Sequence, residues 1–160
     1  MSTHNNFIPI NIAIVTISDT RILDNDKSGD VLEDRVLKSN HKIISRDIVK
    51  DNFEEIYELF SNLINNEKID VIISTGGTGL TGRDITPEVM KKLFEKTIDG
   101  FGEMFRWLSY SKIGTSSLQS RALAGVSNGT YIFCLPGSPS ACRDGWDQIL
   151  IHQLDIRHKP

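Results

Sequence analysis

The chain alternates short apolar runs of strand length with segments whose apolar residues recur at helical spacing, and few folds accommodate that order. Ile10–Ile17 is rich in isoleucine and valine, reads as a buried strand, and ends in the turn-forming cluster Ser18-Asp19-Thr20. The polar stretch Arg21–Lys27 is expected to be an exposed, mobile loop. Helical spacing then runs across Ser28–Ser39, with Val31, Leu32 and Val36 on one side, before a second strand at about Lys42–Val49. Asp51 stands three residues ahead of Glu54 in a capping-box arrangement and opens the next helix. Phe53, Ile56, Tyr57, Phe60, Leu63 and Ile64 form its core-facing side.

A strand at Ile69–Ser74 runs straight into a glycine-rich loop. Beyond it, Thr86-Pro87 reads as an N-cap followed by proline at the first helical position, with Val89, Met90, Leu93 and Phe94 on the buried face. Asp99–Thr115 carries Phe101, Phe105 and Leu108 at helical spacing. Asn128-Gly129 is a hairpin signal that joins Ala122–Ser127 to Thr130–Leu135, because both residues tolerate positive φ. Pro136-Gly137-Ser138-Pro139 then turns the chain into a last helix, with Ser138 as N-cap and Cys142, Trp146, Ile149, Leu150 and Leu154 inward. The expected fold is α/β: a three-layer sandwich with a mostly parallel mixed sheet and one antiparallel hairpin. One domain spans residues 1–160, with a short flexible N-terminus at about residues 1–7.

Composition narrows the partners. Lys plus Arg number 18 against 21 Asp plus Glu, without a basic stripe, so nucleic acid is not an expected ligand. No apolar run approaches the roughly 20 residues of a membrane span, and no secretory signal is visible. Cys134 and Cys142 form neither a CxxC pair nor a cluster with histidine, as expected of free thiols in a reducing cytoplasm. His4, His41, His152 and His158 are scattered, and no catalytic or metal role is assigned to them.

Ligands of such sheets gather beyond the carboxyl ends of the strands. Four strand ends carry suggestive residues: Ser18-Asp19, Asp51, Ser74–Asp84 and Pro136–Ser140. Thr75-Gly76-Gly77-Thr78-Gly79 packs three glycines and two hydroxyls into five residues, a composition that lets backbone N–H groups approach a phosphate. The tripeptide Gly-Gly-Thr alone serves a tight strand-to-helix turn equally well, and the loop is neither a Walker motif nor GxGxxG. Asp84, beside Arg83, suits Mg²⁺ coordination or a loop-stabilising turn. Asp51 is explained as a cap. The turn at Pro136, Gly137 and Ser138 suits a second anion site or a plain helix entry, and Ser120-Arg121 could offer a hydroxyl and a guanidinium to a ligand.

STGGTGLTGRDITPE (Ser74–Glu88), GFGEMFR (Gly100–Arg106), GTSSLQSRALAG (Gly114–Gly125) and LPGSPSACR (Leu135–Arg143) strongly resemble the MoaB/MogA family of molybdenum cofactor biosynthesis proteins. The likeness extends from about Ile8 to Pro160, and Ile113–Ala124 with the ending QLDIRHKP looks more like the MoaB branch. The resemblance implies a molybdopterin-binding fold, a homotrimer or homohexamer, and contact with other proteins of the pathway. It implies a molybdopterin adenylyltransferase that uses ATP and Mg²⁺, or alternatively a non-catalytic molybdopterin carrier. Carried over by motif, Asp51 and Asp84 are the catalytic, Mg²⁺-holding acids. Ser18, Asp19, Thr75, Gly76, Gly77, Thr78, Gly79, Arg83, Ser120, Pro136, Gly137 and Ser138 are the substrate-binding residues.

Overall fold

The computed structural model describes residues 6–158. His4 and most of the N-terminal segment expected to be flexible lie outside the described residues. Six strands form one sheet in the order β2-β1-β3-β6-β5-β4: β1 (Asn11–Ile17), β2 (Lys42–Val49), β3 (Val71–Thr75), β4 (Lys96–Thr97), β5 (Leu123–Ser127) and β6 (Thr130–Leu135). β2, β1, β3 and β6 run parallel, whereas β5 pairs antiparallel with both β6 and β4. The mixed sheet and its hairpin match the sequence expectation, and Asn128 and Gly129 take the φ values of 50° and 75° that their turn demands.

Helices cover both faces, for a reason written along each strand. Side chains alternate across a strand. Ile12 and Ile14 enter one core with α1 (Lys27–Lys38), α4 (Asp99–Ile113) and α5 (Pro139–Gly145). Ala13, Val15 and Ile17 enter the other with α2 (Phe53–Ile64) and α3 (Thr86–Leu93). A strand buried on both faces needs an apolar residue at nearly every position, which is why β1 and β3 carry no charge. The C-terminal helical stretch widens to a π turn at Trp146–Leu150, and Trp146 is buried beneath it.

Three local expectations are corrected. Asn52, not Asp51, caps α2: its side chain accepts from the Glu55 N–H at 3.0 Å, which leaves the Asp51 carboxylate out of the helix end. Thr86 does not cap α3; its hydroxyl donates to the Gly76 carbonyl at 3.0 Å. The stretch 21–27 is not a wholly exposed loop, because Asp26 is fully buried and caps α1 through the Gly29 N–H. Asp26 also accepts from the Thr16 hydroxyl at 2.6 Å and pairs with Arg46 of β2 at 3.3 Å. A buried acid survives only with such partners.

Burial alone would raise the Asp26 pKa, but Thr16, the Gly29 N–H and Arg46 together hold it below the ordinary carboxylate value. A lowered folded-state pKa stabilises the protein above the unfolded pKa of about 3.9, and that contribution is lost as pH falls through the folded value. Asp26→Asn is therefore expected to lower urea-unfolding stability at pH 7 by about 1–3 kcal/mol. The gap to the wild type should narrow as the medium is acidified below pH 4.

Candidate functional site

The carboxyl ends of β1, β3 and β6 open into one cavity of about 560 Å³. The chain leaves β3 through Gly76 and Gly77, with φ values of 107° and 71° that side-chain-bearing residues rarely adopt. Space forbids a side chain as well. A Cβ on Gly76 would stand 2.2 Å from the Ile17 carbonyl oxygen, and one on Gly77 would stand 2.2 Å from the Thr86 hydroxyl.

The loop is held by its carbonyls. Gly76 O accepts from the Thr86 hydroxyl at 3.0 Å, and Gly77 O from the Thr86 N–H at 3.1 Å. Thr78 O accepts from the Arg121 N–H at 3.1 Å. Gly79 O and Asp84 O each accept from the Arg121 guanidinium at 2.8 Å. In a trans peptide the next N–H points opposite to the carbonyl, so these ties turn a row of N–H groups the other way. The Gly79 N–H lies against the Asp84 carboxylate. Among the described residues no hydrogen-bond acceptor takes the N–H of Gly77, Thr78 or Leu80. Successive free N–H groups in a glycine loop at the end of a strand can take up an anion.

Three acids stand beside it. The Asp19 carboxylate accepts the Asp51 N–H at 3.1 Å and pairs with Arg83. The Asp51 carboxyl is pushed above the ordinary value by burial first, then by the charges of Asp19 and Asp84, with Arg83 and the Asp19 backbone opposing. Asp84 goes the other way. Burial would raise it, but the Thr81 hydroxyl, the Thr81 and Gly79 N–H groups and Arg121 hold it below the usual range. Asp84 thus closes its own loop and still lines the cavity. Among the described residues no three His, Cys, Asp or Glu side chains surround a common metal point. Two acids with accumulated negative charge nevertheless suit Mg²⁺, which takes one or two carboxylates and completes its shell with phosphate oxygens and water.

Of the residues expected to bind substrate, Ser18, Thr75, Gly76, Gly77, Thr78, Gly79, Ser120, Pro136, Gly137 and Ser138 line the cavity with Asp51 and Asp84. Asp19 and Arg83 do not; they pair with each other next to Asp51. Thr75 offers less than expected, because its hydroxyl donates to the Pro136 carbonyl at 2.8 Å. Ser138 caps α5 through the Ala141 N–H. The Ser120 hydroxyl is buried without a partner at the cavity wall. The Arg121 guanidinium is committed to the loop and to Glu88 rather than offered to a ligand.

Sequence reasoning missed Arg21, Lys112 and Asp144 in the wall. Arg21 donates to the Ser28 hydroxyl at 2.9 Å and to Gly137 O at 3.2 Å, and lies 3.6 Å from buried Asp26. Lys112 bridges to Asp144 at 2.8 Å between α4 and α5. No local pattern announces these pairings. Burial lifts the Cys142 thiol to about 11 and the Cys134 thiol to about 12, so neither is a thiolate near neutrality.

Comparison with known proteins gives a consistent result. The model of the family described as a probable molybdopterin binding domain matches residues 13–156. Molybdenum cofactor biosynthesis protein B of Escherichia coli (strain K12) is 47% identical over 154 residues, covering 96% of this chain and 91% of that protein. A probable molybdopterin adenylyltransferase of Methanocaldococcus jannaschii is 39% identical over 147 residues, covering 88% and 87%. A crystal structure of a molybdenum cofactor biosynthesis protein B superposes with a TM-score of 0.89 at 39% identity, covering 92% of each chain.

The glycine geometry yields a paired expectation. Gly76→Ala is expected to cost about 1–3 kcal/mol in urea unfolding and to displace the loop. Gly82→Ala, where a Cβ meets open space, should leave stability unchanged.

Proposed function

The chain belongs to the family of molybdopterin-binding domains found in MoaB-type molybdenum cofactor biosynthesis proteins, and on that premise we propose that it adenylylates molybdopterin. In this reading molybdopterin and ATP meet in the cavity at the carboxyl ends of β1, β3 and β6. A terminal phosphate oxygen of molybdopterin attacks the α-phosphorus of ATP, and the bond to the leaving pyrophosphate breaks. Such a transfer needs positioning and charge neutralisation, not a protein nucleophile. The single observation that carries the reading is the pair of uncommitted N–H groups at Gly77 and Thr78, residues that line the cavity with Asp51 and Asp84; the free Leu80 N–H extends the row outward.

Each group has a task. The loop N–H groups hold phosphate oxygens. Ser120 supplies the unpartnered hydroxyl. Arg21, fixed by Ser28 and Gly137, brings positive charge to the same wall. Asp51 and Asp84 are the residues that would hold Mg²⁺, which when bound offsets the charge of the phosphates. The name of the Methanocaldococcus jannaschii relative supports this activity. Self-association belongs to the same proposal: α4 leaves Met104, Trp107, Tyr110 and Ile113 exposed, and Leu118 just beyond it is 80% exposed. A second copy of the chain would bury them, in a trimer or hexamer.

Turnover of molybdopterin with ATP and Mg²⁺ is expected to release pyrophosphate, and Asp51→Asn and Asp84→Asn should each reduce that rate at least a hundredfold. Pterin binding without pyrophosphate release by the wild type would favour a carrier instead. Ionised Asp51 is the competent form, so activity should fall as pH drops through its raised pKa. Asp19→Asn removes one of the charges that raise it, and the acid limb of the rate profile should move to lower pH. By sedimentation, Trp107→Glu is expected to shift the oligomer toward monomer.

A further inference from the structure

The loop that presents the N–H groups is tied down from two places, Thr86 and Arg121, and both lie outside the cavity wall. Thr86 takes the carbonyls of Gly76 and Gly77. Arg121 takes the other three: Thr78 through its backbone N–H, and Gly79 and Asp84 through Nε and Nη2 of one guanidinium. Its remaining terminal nitrogen pairs with Glu88 of α3. Thus one side chain spans the start of the loop, its end, and the helix that follows. We propose that Arg121 is the positioning residue of the site: it shapes residues 78–84 into an anion-binding surface and sets the Asp84 carboxylate without touching the ligand. The proposal rests on the functional reading above for its consequence in catalysis, but the shaping itself stands on hydrogen bonds alone.

The chemistry requires a guanidinium. Its planar fork places three donors in fixed directions, and three separate acceptors are met here: two carbonyls and a carboxylate. An ammonium is a single point with no such fork. With the fork removed, the Gly79 and Asp84 carbonyls lose their partners, and both peptide units become free to rotate. The Leu80 and Ile85 N–H groups, which belong to those units, then lose their direction. Asp84 loses its backbone anchor as well, although Thr81 still binds its carboxylate.

The test uses the full chain and three variants: Arg121→Ala, Arg121→Lys and Glu88→Gln. Amide hydrogen exchange over residues 77–85 is read first, then inorganic pyrophosphate binding with Mg²⁺ by calorimetry, then turnover. Arg121→Ala is expected to keep its Tm within a few degrees, to exchange the hydrogen-bonded Gly79, Thr81 and Asp84 amides at least tenfold faster, and to bind pyrophosphate at least tenfold more weakly. Guanidinium ion at millimolar concentration should restore part of that affinity without moving the Tm, a response that a merely structural role would not give. Arg121→Lys should behave like Arg121→Ala. Glu88→Gln, which loosens the guanidinium without removing it, should show a two- to fivefold effect of the same sign, and it decides the matter if the alanine variant does not fold. Unchanged exchange and unchanged pyrophosphate affinity in these variants would overturn the proposal. A wild type that binds pyrophosphate but forms no adenylyl product would instead overturn the functional reading, while exchange and affinity still judge Arg121.

Discussion

The site depends on where the carbonyls of one loop point. Gly76, Gly77, Thr78, Gly79 and Asp84 each give their carbonyl oxygen to a donor on the scaffold, so the opposite edge of the backbone carries N–H groups without partners. Thr78 is buried, Gly77 half-buried and Leu80 exposed, so the row of free N–H groups runs from the interior to the surface, where an anion can meet it. Left-handed backbone at Gly76 and Gly77 is the geometric condition for this, and the Ile17 carbonyl and Thr86 hydroxyl leave no room for a side chain there.

The sheet supplies the rest. Parallel β1, β3 and β6 bring their carboxyl ends side by side, so turns remote in sequence share one cavity. Negative charge is concentrated at one wall by Asp51 and Asp84, with Asp19 behind Asp51, and the charges of Asp19 and Asp84 add to burial in raising Asp51. Asp84 escapes the same fate because hydroxyl and N–H donors surround it. Two neighbouring acids therefore differ in protonation behaviour through their environments, not their chemistry. One wall opposes them with a guanidinium: Arg21, held by Ser28 and Gly137 and steadied by buried Asp26.

Much of the fold was legible in the chain because its signals are local. Asn128-Gly129 specifies its turn, the unbroken apolar runs specify strands covered on both faces, and Pro139 after Ser138 specifies a helix entry. What escaped is what depends on partners far away in sequence. The spacing to Glu54 points to Asp51 as the cap, and only the backbone path shows that Asn52 takes the role. Asp26 looks like a loop residue until Arg46 on β2 is brought to it. β4 has two residues, too few for any periodicity to register. The glycine loop was legible as a composition, but the device that orients it was not: an arginine in sequence does not disclose that its acceptors are carbonyls 42 and 37 residues away.

The central claim is that the N–H row of this loop holds phosphate. A crystal structure with ATP and Mg²⁺ tests it most directly. The account predicts phosphate oxygens within hydrogen-bond distance of the Gly77, Thr78 and Leu80 nitrogens, with the loop carbonyls still tied to Thr86 and Arg121. Phosphates bound elsewhere on the chain, with those three N–H groups facing only water, would contradict it.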